Sequence, residues 1–214
     1  MQMRLLLLSL TFAGLLAPAA SASVIYSITP IQPVAAPGDI GDAFEVIVTN
    51  TGPASISVAG FTFAISTTDP DITFTSAITS TTTDPYIFAG DSFDNHVSIP
   101  LNLNSGMSLK ANDETFDNTG ITIGASSSMA LGRVFYNVSG GAIVPGSFTV
   151  AFVTDPGMNS LSTPAPTSSI TIDTLQSETI LIDTPEPGAL LLVPGGLLAL
   201  WWKRSSIAAR RHRQ

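Results

Sequence analysis

The stretch Phe44-Glu45-Val46-Ile47-Val48-Thr49 indicates the fold class. Its first, third and fifth residues are large and apolar, so they share one face of a β-strand. The same alternation returns in Gly60-Phe61-Thr62-Phe63-Ala64-Ile65-Ser66, after the turn Asn50-Thr51-Gly52-Pro53. Short alternating strands separated by turn residues are typical of an antiparallel β-sandwich. We therefore predict an all-β fold of this kind.

The alternation continues outward from these two strands, and the chain contains no convincing amphipathic helix between its ends. We predict a β-sandwich over residues 23–153, and either a linker or closing strands over residues 154–183. The stretch 79–120 is less regular, with Leu101-Asn102-Leu103 and Ile121-Thr122-Ile123 as short strands. The predicted core consists of Phe44, Val46, Val48, Phe61, Phe63, Ile65, Phe74, Val134, Tyr136, Val138, Phe148, Val150 and Phe152.

The order of these pieces resembles a cohesin-like module. Pro37-Gly38-Asp39 leads into a strand, and residues 60–66 are followed by Asp69-Pro70-Asp71-Ile72-Thr73-Phe74. The late part reads Leu131-Gly132-Arg133-Val134-Phe135-Tyr136-Asn137-Val138, a turn, and Gly146-Ser147-Phe148-Thr149-Val150. The resemblance implies a jelly-roll sandwich that binds other proteins, and an immunoglobulin-like sandwich is the alternative architecture. The sequence does not show the binding surface, so dockerin binding is not carried over.

The N-terminal segment, residues 1–22, has the three parts of a secretory signal peptide. Arg4 supplies the charged region, Leu5 to Leu16 form the apolar region, and Ala20-Ser21-Ala22 is a small-residue cleavage site. We expect signal peptidase to recognise Ala20 and Ala22 and to cut before Ser23. The protein is therefore expected to be exported.

The C-terminal segment, residues 184–214, combines three features. Pro185-Glu186-Pro187 is followed by an uncharged apolar run over residues 188–202 and by a basic tail over residues 203–214. An apolar run followed by cations is typical of a membrane span with a cytoplasmic tail. At about 1.5 Å per residue this run reaches roughly 22 Å, against a hydrocarbon core of about 30 Å, which predicts a marginal transmembrane helix.

This order resembles the bacterial PEP-CTERM sorting signal, which is read by exosortase, a membrane transpeptidase. The resemblance implies a precursor anchored in the inner membrane of a Gram-negative bacterium through residues 188–202. It also implies that the tail is removed or exchanged on the way to the cell surface or extracellular matrix. An ordinary single-span anchor with a proline-rich stem is the alternative.

Charge and cysteine content narrow the possible partners and chemistry. Residues 23–186 contain all sixteen acidic residues but only two basic ones, Lys110 and Arg133, so their formal charge is −14. This charge disfavours binding to nucleic acid. The chain has no cysteine, which excludes disulfides, thiolate metal sites and cysteine nucleophiles. His96 is the one histidine outside the tail, too little for an ordinary zinc site.

The acidic residues between 91 and 117 are the best candidates for a metal or catalytic site, although the default interpretation is that they are solvated aspartates in turns. Calcium takes oxygen ligands from loop carboxylates, but the spacing here matches no EF-hand. A glycosidase pair would need two carboxylates across a cleft, for which the sequence offers no support. We identify no catalytic and no cofactor-binding residues. The calcium candidates are Asp91, Asp94, Asp113, Glu114 and Asp117.

Together these patterns predict a non-enzymatic surface or matrix protein with an adhesion or structural role. Its expected partners are signal peptidase and exosortase during processing, and exopolysaccharide or other surface proteins afterwards. The alternatives are a calcium- or carbohydrate-binding module and a secreted hydrolase.

Overall fold

The computed structural model describes residues 23–93, 101–103 and 106–184. Every regular element in these ranges is a β-strand, which confirms the predicted fold class. Strands are numbered in chain order. The first sheet contains, in spatial order, β14 (Thr174–Gln176), β1 (Val24–Pro30), β3 (Ile40–Asn50), β10 (Ser127–Val138) and β6 (Ile72–Ile78).

The second sheet is larger, and a two-stranded ribbon accompanies it. Its main path contains β13 (Ser169–Ile170), β12 (Ser160–Ser162), β5 (Gly60–Ser66), β11 (Gly146–Phe152), β15 (Glu178–Ile182) and β2 (Val34–Ala35). Off this path, β8 (Ser108–Glu114) pairs with β5 and with β7 (Leu101–Leu103). The ribbon pairs β4 (Ile56–Val58) with β9 (Ile121–Ile123).

One hydrophobic core draws residues from both sheets, as expected for a sandwich. All thirteen predicted core residues are buried, none more than 6% exposed, which confirms the period-two interpretation. Tyr136 sits between two other rings, with centroids 5.9 Å from Phe44 and 5.3 Å from Phe148. The alternation alone sufficed here because each of these strands presents a single face to the core.

Residues 154–182 continue the sandwich through the strands β12 to β15. β15 pairs with β11 along five residues, and β14 pairs with β1 in parallel. β11 and β12 both pair with β5 but leave a gap between them, which Asn159 bridges. Its side chain accepts a hydrogen bond from Ala64 N (3.0 Å) and donates one to the carbonyl of Val153 (2.5 Å).

Several predicted features lie outside the described residues. These are the signal peptide, the sorting signal with Pro185, Glu186 and Pro187, and the residues Asp94 and His96. Within the ranges that the structure does describe, no helix is long and apolar enough to cross a membrane.

Candidate functional site

At the end of β8, a first segment, residues 91–93, pairs antiparallel with a second segment, residues 114–116. Phe93 N donates a hydrogen bond to the carbonyl of Glu114 (2.9 Å), and Phe116 N donates to the carbonyl of Asp91 (2.8 Å). The second segment is also bonded to the residue between β4 and β5, because Thr115 N donates a hydrogen bond to the carbonyl of Ala59 (2.8 Å). These main-chain bonds determine which side chains face inward.

Ser92 and Thr115 form the bridge between the two segments and are 8% and 4% exposed. Because successive side chains of an extended chain point to opposite sides, their neighbours Phe93 and Phe116 point outward. Phe93 is 52% exposed and Phe116 is 70% exposed, and their rings stack with centroids 6.1 Å apart. A shift of one residue in the pairing would bury the rings and expose the hydroxyls. The exposure of both rings therefore follows from the backbone pairing.

Three acidic residues are neighbours of these two rings in the paired segments: Asp91 and Glu114 lie opposite Phe116 and Phe93, and Asp117 follows Phe116. We call the surface the acidic–aromatic patch and define it as Phe93, Phe116, Asp91, Glu114 and Asp117. Asp117 Oδ1 accepts hydrogen bonds from the backbone N (2.9 Å) and the hydroxyl (2.8 Å) of Thr119. These bonds hold the pKa of Asp117 below its ordinary value, so it is ionised at neutral pH. The patch therefore combines an apolar surface with fixed negative charge.

The expectation that these acidic residues are solvated turn residues is wrong for Asp113. This residue lies within β8 and is only 6% exposed. Its Oδ2 accepts hydrogen bonds from the hydroxyls of Tyr86 (2.5 Å) and Ser92 (2.6 Å), and Oδ1 accepts one from Glu114 N (2.8 Å). Burial, and then the bond to this carboxylate, raise the pKa of Tyr86 well above its ordinary range. Asp113 thus anchors the patch from beneath.

The structure therefore divides the predicted calcium candidates into two groups. Asp91, Glu114 and Asp117 lie together on the patch, whereas the carboxylate of Asp113 is occupied by its internal partners. In the part of the chain that the structure describes, no group of three or more Asp, Glu or His residues converges on a possible metal position. Calcium binding at this cluster stays a prediction.

A second buried carboxylate, Glu45, was missed by sequence reasoning. It is 0% exposed and holds the segment before Tyr86 against β3. Glu45 accepts hydrogen bonds from Thr82 N (2.5 Å) and Thr83 N (2.8 Å), and its ion pair with Arg133 spans 3.2 Å. One signal was available: Arg133 is one of only two basic residues in residues 23–186, and a charge inside an alternating strand needs a partner.

The patch provides two aromatic ring faces and several acceptor oxygens on an open surface. A separate groove of about 560 Å³ lies between the turn at Asp69-Pro70-Asp71 and β11, with Ile143 and Ile182 in its lining. The described residues contain no histidine, and the chain contains no cysteine. The open ring faces beside these oxygens are suited to surface contact.

No protein-family profile and no curated protein sequence matches the chain. Solved structures do match. The sixth cohesin of scaffoldin B from Acetivibrio cellulolyticus, in complex with a Cel5 dockerin, has a TM-score of 0.52 at 10% identity, covering 76% of this chain and 99% of that chain. The seventh ScaB type I cohesin from Pseudobacteroides cellulosolvens has a TM-score of 0.52 at 8% identity, covering 76% and 94%.

A type I cohesin–dockerin complex from Clostridium thermocellum matches with a TM-score of 0.52 at 11% identity, covering 75% of this chain and 99% of that chain. At such low identity the similarity concerns the fold. The predicted resemblance to a cohesin-like module is confirmed at this level: the described residues adopt a cohesin-like β-sandwich.

Proposed function

We propose that this chain is an exported, non-catalytic adhesion or structural protein whose sandwich contacts a partner protein through the acidic–aromatic patch. One observation carries the proposal: Phe93 and Phe116 expose two stacked rings on a segment that is held rigid by backbone hydrogen bonds and by Asp113. Aromatic side chains on a rigid surface bind partners at little cost in conformational entropy.

The charge of the patch indicates the chemistry of the partner. Asp91, Glu114 and Asp117 lie beside the rings in the paired segments, and residues 23–186 carry a formal charge of −14. A lysine or arginine of a partner could lie over a ring face while its charge meets these carboxylates. We therefore favour a protein partner with a basic and partly apolar contact region. The fold supports a protein partner, since two of the solved structures with this fold are cohesin–dockerin complexes.

The double substitution Phe93→Ser and Phe116→Ser should weaken binding to the extracellular matrix of the producing cells by at least about 30-fold, because even one central aromatic contact contributes about 2 kcal/mol or more. Retention of purified protein on extracted matrix would be measured. The matched control is Ile143→Ser, which removes another side chain that is 80% exposed but lies on the distant groove. Equal retention of both variants and the wild type would contradict the role of the patch.

The same assay separates a protein partner from a carbohydrate partner. A carbohydrate-binding role is the second candidate, because exposed ring faces beside acceptor oxygens can also stack against sugars. Protease treatment of the matrix should abolish retention if the partner is a protein, and glycosidase treatment should leave it intact. The reverse result would replace the protein partner by a polysaccharide.

The sorting of this module is the second part of the proposal. Signal peptidase would cut before Ser23, and the precursor would pause in the inner membrane with residues 188–202 inserted. Pro185 and Pro187 lock φ and remove two backbone donors, so this segment should stay extended and accessible to exosortase. Glu186 is costly to bury in lipid, which keeps the segment at the outer interface. The sandwich would then reach the cell surface or matrix of a Gram-negative host.

Surface-extracted protein should lack the peptides that cover Arg210 to Gln214, as mass spectrometry would show. Changing Pro185, Glu186 and Pro187 together to alanine should leave these peptides in place and the protein in the membrane fraction. Asp183→Ala, just upstream, serves as the control and should be processed normally. Intact C-terminal peptides in the dominant surface form of the wild type would leave only a plain membrane anchor.

A further inference from the structure

Asp42 places a carboxylate at a core-facing position of β3. The residues two, four and six positions further along the strand are Phe44, Val46 and Val48, all 0% exposed. The preceding Gly41 has φ of +79° and is the extra residue of a bulge opposite Asn137, which a glycine accommodates without strain. Beyond the bulge the pairing resumes with Asp42 directly opposite Tyr136.

Among the residues that the structure describes, two buried oxygens at this end of the sandwich have no hydrogen-bond partner. They are Oδ2 of Asp42 and the hydroxyl oxygen of Tyr136, whose side chain is 0% exposed. Directly opposed residues of an antiparallel pair project to the same face of a sheet, so both groups enter the same space. Burying a polar group without a partner is unfavourable, and native proteins supply a partner in nearly all cases.

A second carboxylate, Asp39, lies beside this pair on a loop held against β10. Ala36 N donates to Asp39 Oδ2 (2.7 Å), and Val138 N donates to the Asp39 carbonyl (2.9 Å). Burial raises the pKa of Asp42, and the nearby Asp39 raises it further. Burial also raises the pKa of Tyr136, with added contributions from the charges of Asp42 and Asp39. Two carboxyl groups and a hydroxyl therefore meet here, and the raised pKa of Asp42 reflects the cost of carrying its charge at this position.

Neither of the two basic side chains in the described residues supplies a positive charge here. Arg133 is paired with Glu45 at 3.2 Å, and Lys110 lies on β8 in the other sheet. A bound cation would compensate both carboxylates and provide the partner that the Tyr136 hydroxyl lacks. Calcium fits best among common extracellular ions, because it accepts carboxylate, neutral oxygen and water ligands in flexible geometry.

We propose that Asp39, Asp42 and the hydroxyl of Tyr136 form a calcium site at the start of β3. With two carboxylates and water completing the coordination, its affinity falls in the range of extracellular modules, with Kd of about 10⁻⁴ to 10⁻³ M. The site ties the loop before β3 to β10. It is separate from the acidic–aromatic patch and does not depend on the function proposed for that patch.

Calcium should raise the melting temperature of the full chain by about 3–6 °C at a concentration about ten times Kd. Asp42→Asn should remove this shift, whereas the same change at the exposed turn residue Asp155 should preserve it. EDTA sets the metal-free baseline for each variant. No shift in the wild type, or the same shift in Asp42→Asn, would overturn the proposal.

Terbium, a calcium analogue that luminesces when a nearby aromatic ring transfers energy to it, gives a second readout. Excitation of tyrosine should produce terbium emission that calcium competes away. Tyr136→Phe should remove most of this emission and should still fold, because it removes only an unpartnered hydroxyl. Tyr86→Phe tests the other acidic cluster, since Tyr86 contacts Asp113. Emission lost with Tyr86→Phe and kept with Tyr136→Phe would place the ion at that cluster and overturn the proposal.

Discussion

Replacing Phe44 by alanine is expected to lower the free energy of unfolding by about 3–5 kcal/mol. Phe44 is 0% exposed on the central strand β3. Its ring contacts Phe74 edge to face at a centroid distance of 6.0 Å and Tyr136 at 5.9 Å. The substitution removes the buried ring and leaves a cavity between strands that cannot close easily, because β3 is paired on both sides.

Phe116→Ala is the matched control, because it removes the same ring from a position that is 70% exposed. We expect it to change stability by no more than about 0.5 kcal/mol. Urea unfolding would measure both variants, with a lower midpoint and an unchanged slope for Phe44→Ala. Similar losses for both variants would mean that the two rings are buried alike, against the structure.

Replacing Glu45 by glutamine should cost about 3 kcal/mol, the lower end of the range for breaking a buried ion pair. The carboxylate is 0% exposed, whereas Arg133 keeps 16% exposure and can recover some hydration. Glutamine leaves Arg133 without a counter-charge and turns one acceptor into a donor that faces the backbone N–H of either Thr82 or Thr83. Glu114→Gln, an exposed residue on the patch, is the control and should be nearly neutral.

The pH dependence of stability provides an independent check on Glu45. Burial acts to raise its pKa, but the hydrogen bonds from Thr82 and Thr83 outweigh this and lower the pKa from its ordinary value of 4.5. A carboxylate whose pKa is lower in the folded state stabilises the fold above its unfolded pKa. This stability is therefore present above about pH 4.5 and is lost as pH falls through the lower, folded value. Glu45→Gln should lack that part of the acid dependence.

The strand faces were predictable because they depend on residues close in sequence. In the stretches around Phe44, Phe61 and Phe148, side chains two apart share a face whatever the strand later pairs with. The same period also places Asp42 on the core face, although Tyr136 becomes its neighbour only through the register of β3 with β10. The two-residue period did not predict which side chains are buried in the stretch 79–120. Tyr86, Ile87 and Phe88 are buried there without regular alternation.

By itself, the sequence determined the all-β class, the core-facing residues and the excess of acidic over basic residues, all of which follow from composition and local period. Only the tertiary structure decided that Glu45 and Asp113 are buried acceptors while Phe93 and Phe116 are exposed. Glu45 meets Arg133 across 88 positions, and Asp113 meets Tyr86 across 27. Burial at these sites is a property of the pairing between distant segments. Local period cannot reveal it, because a charged or aromatic residue accepts either environment once its partners are in place.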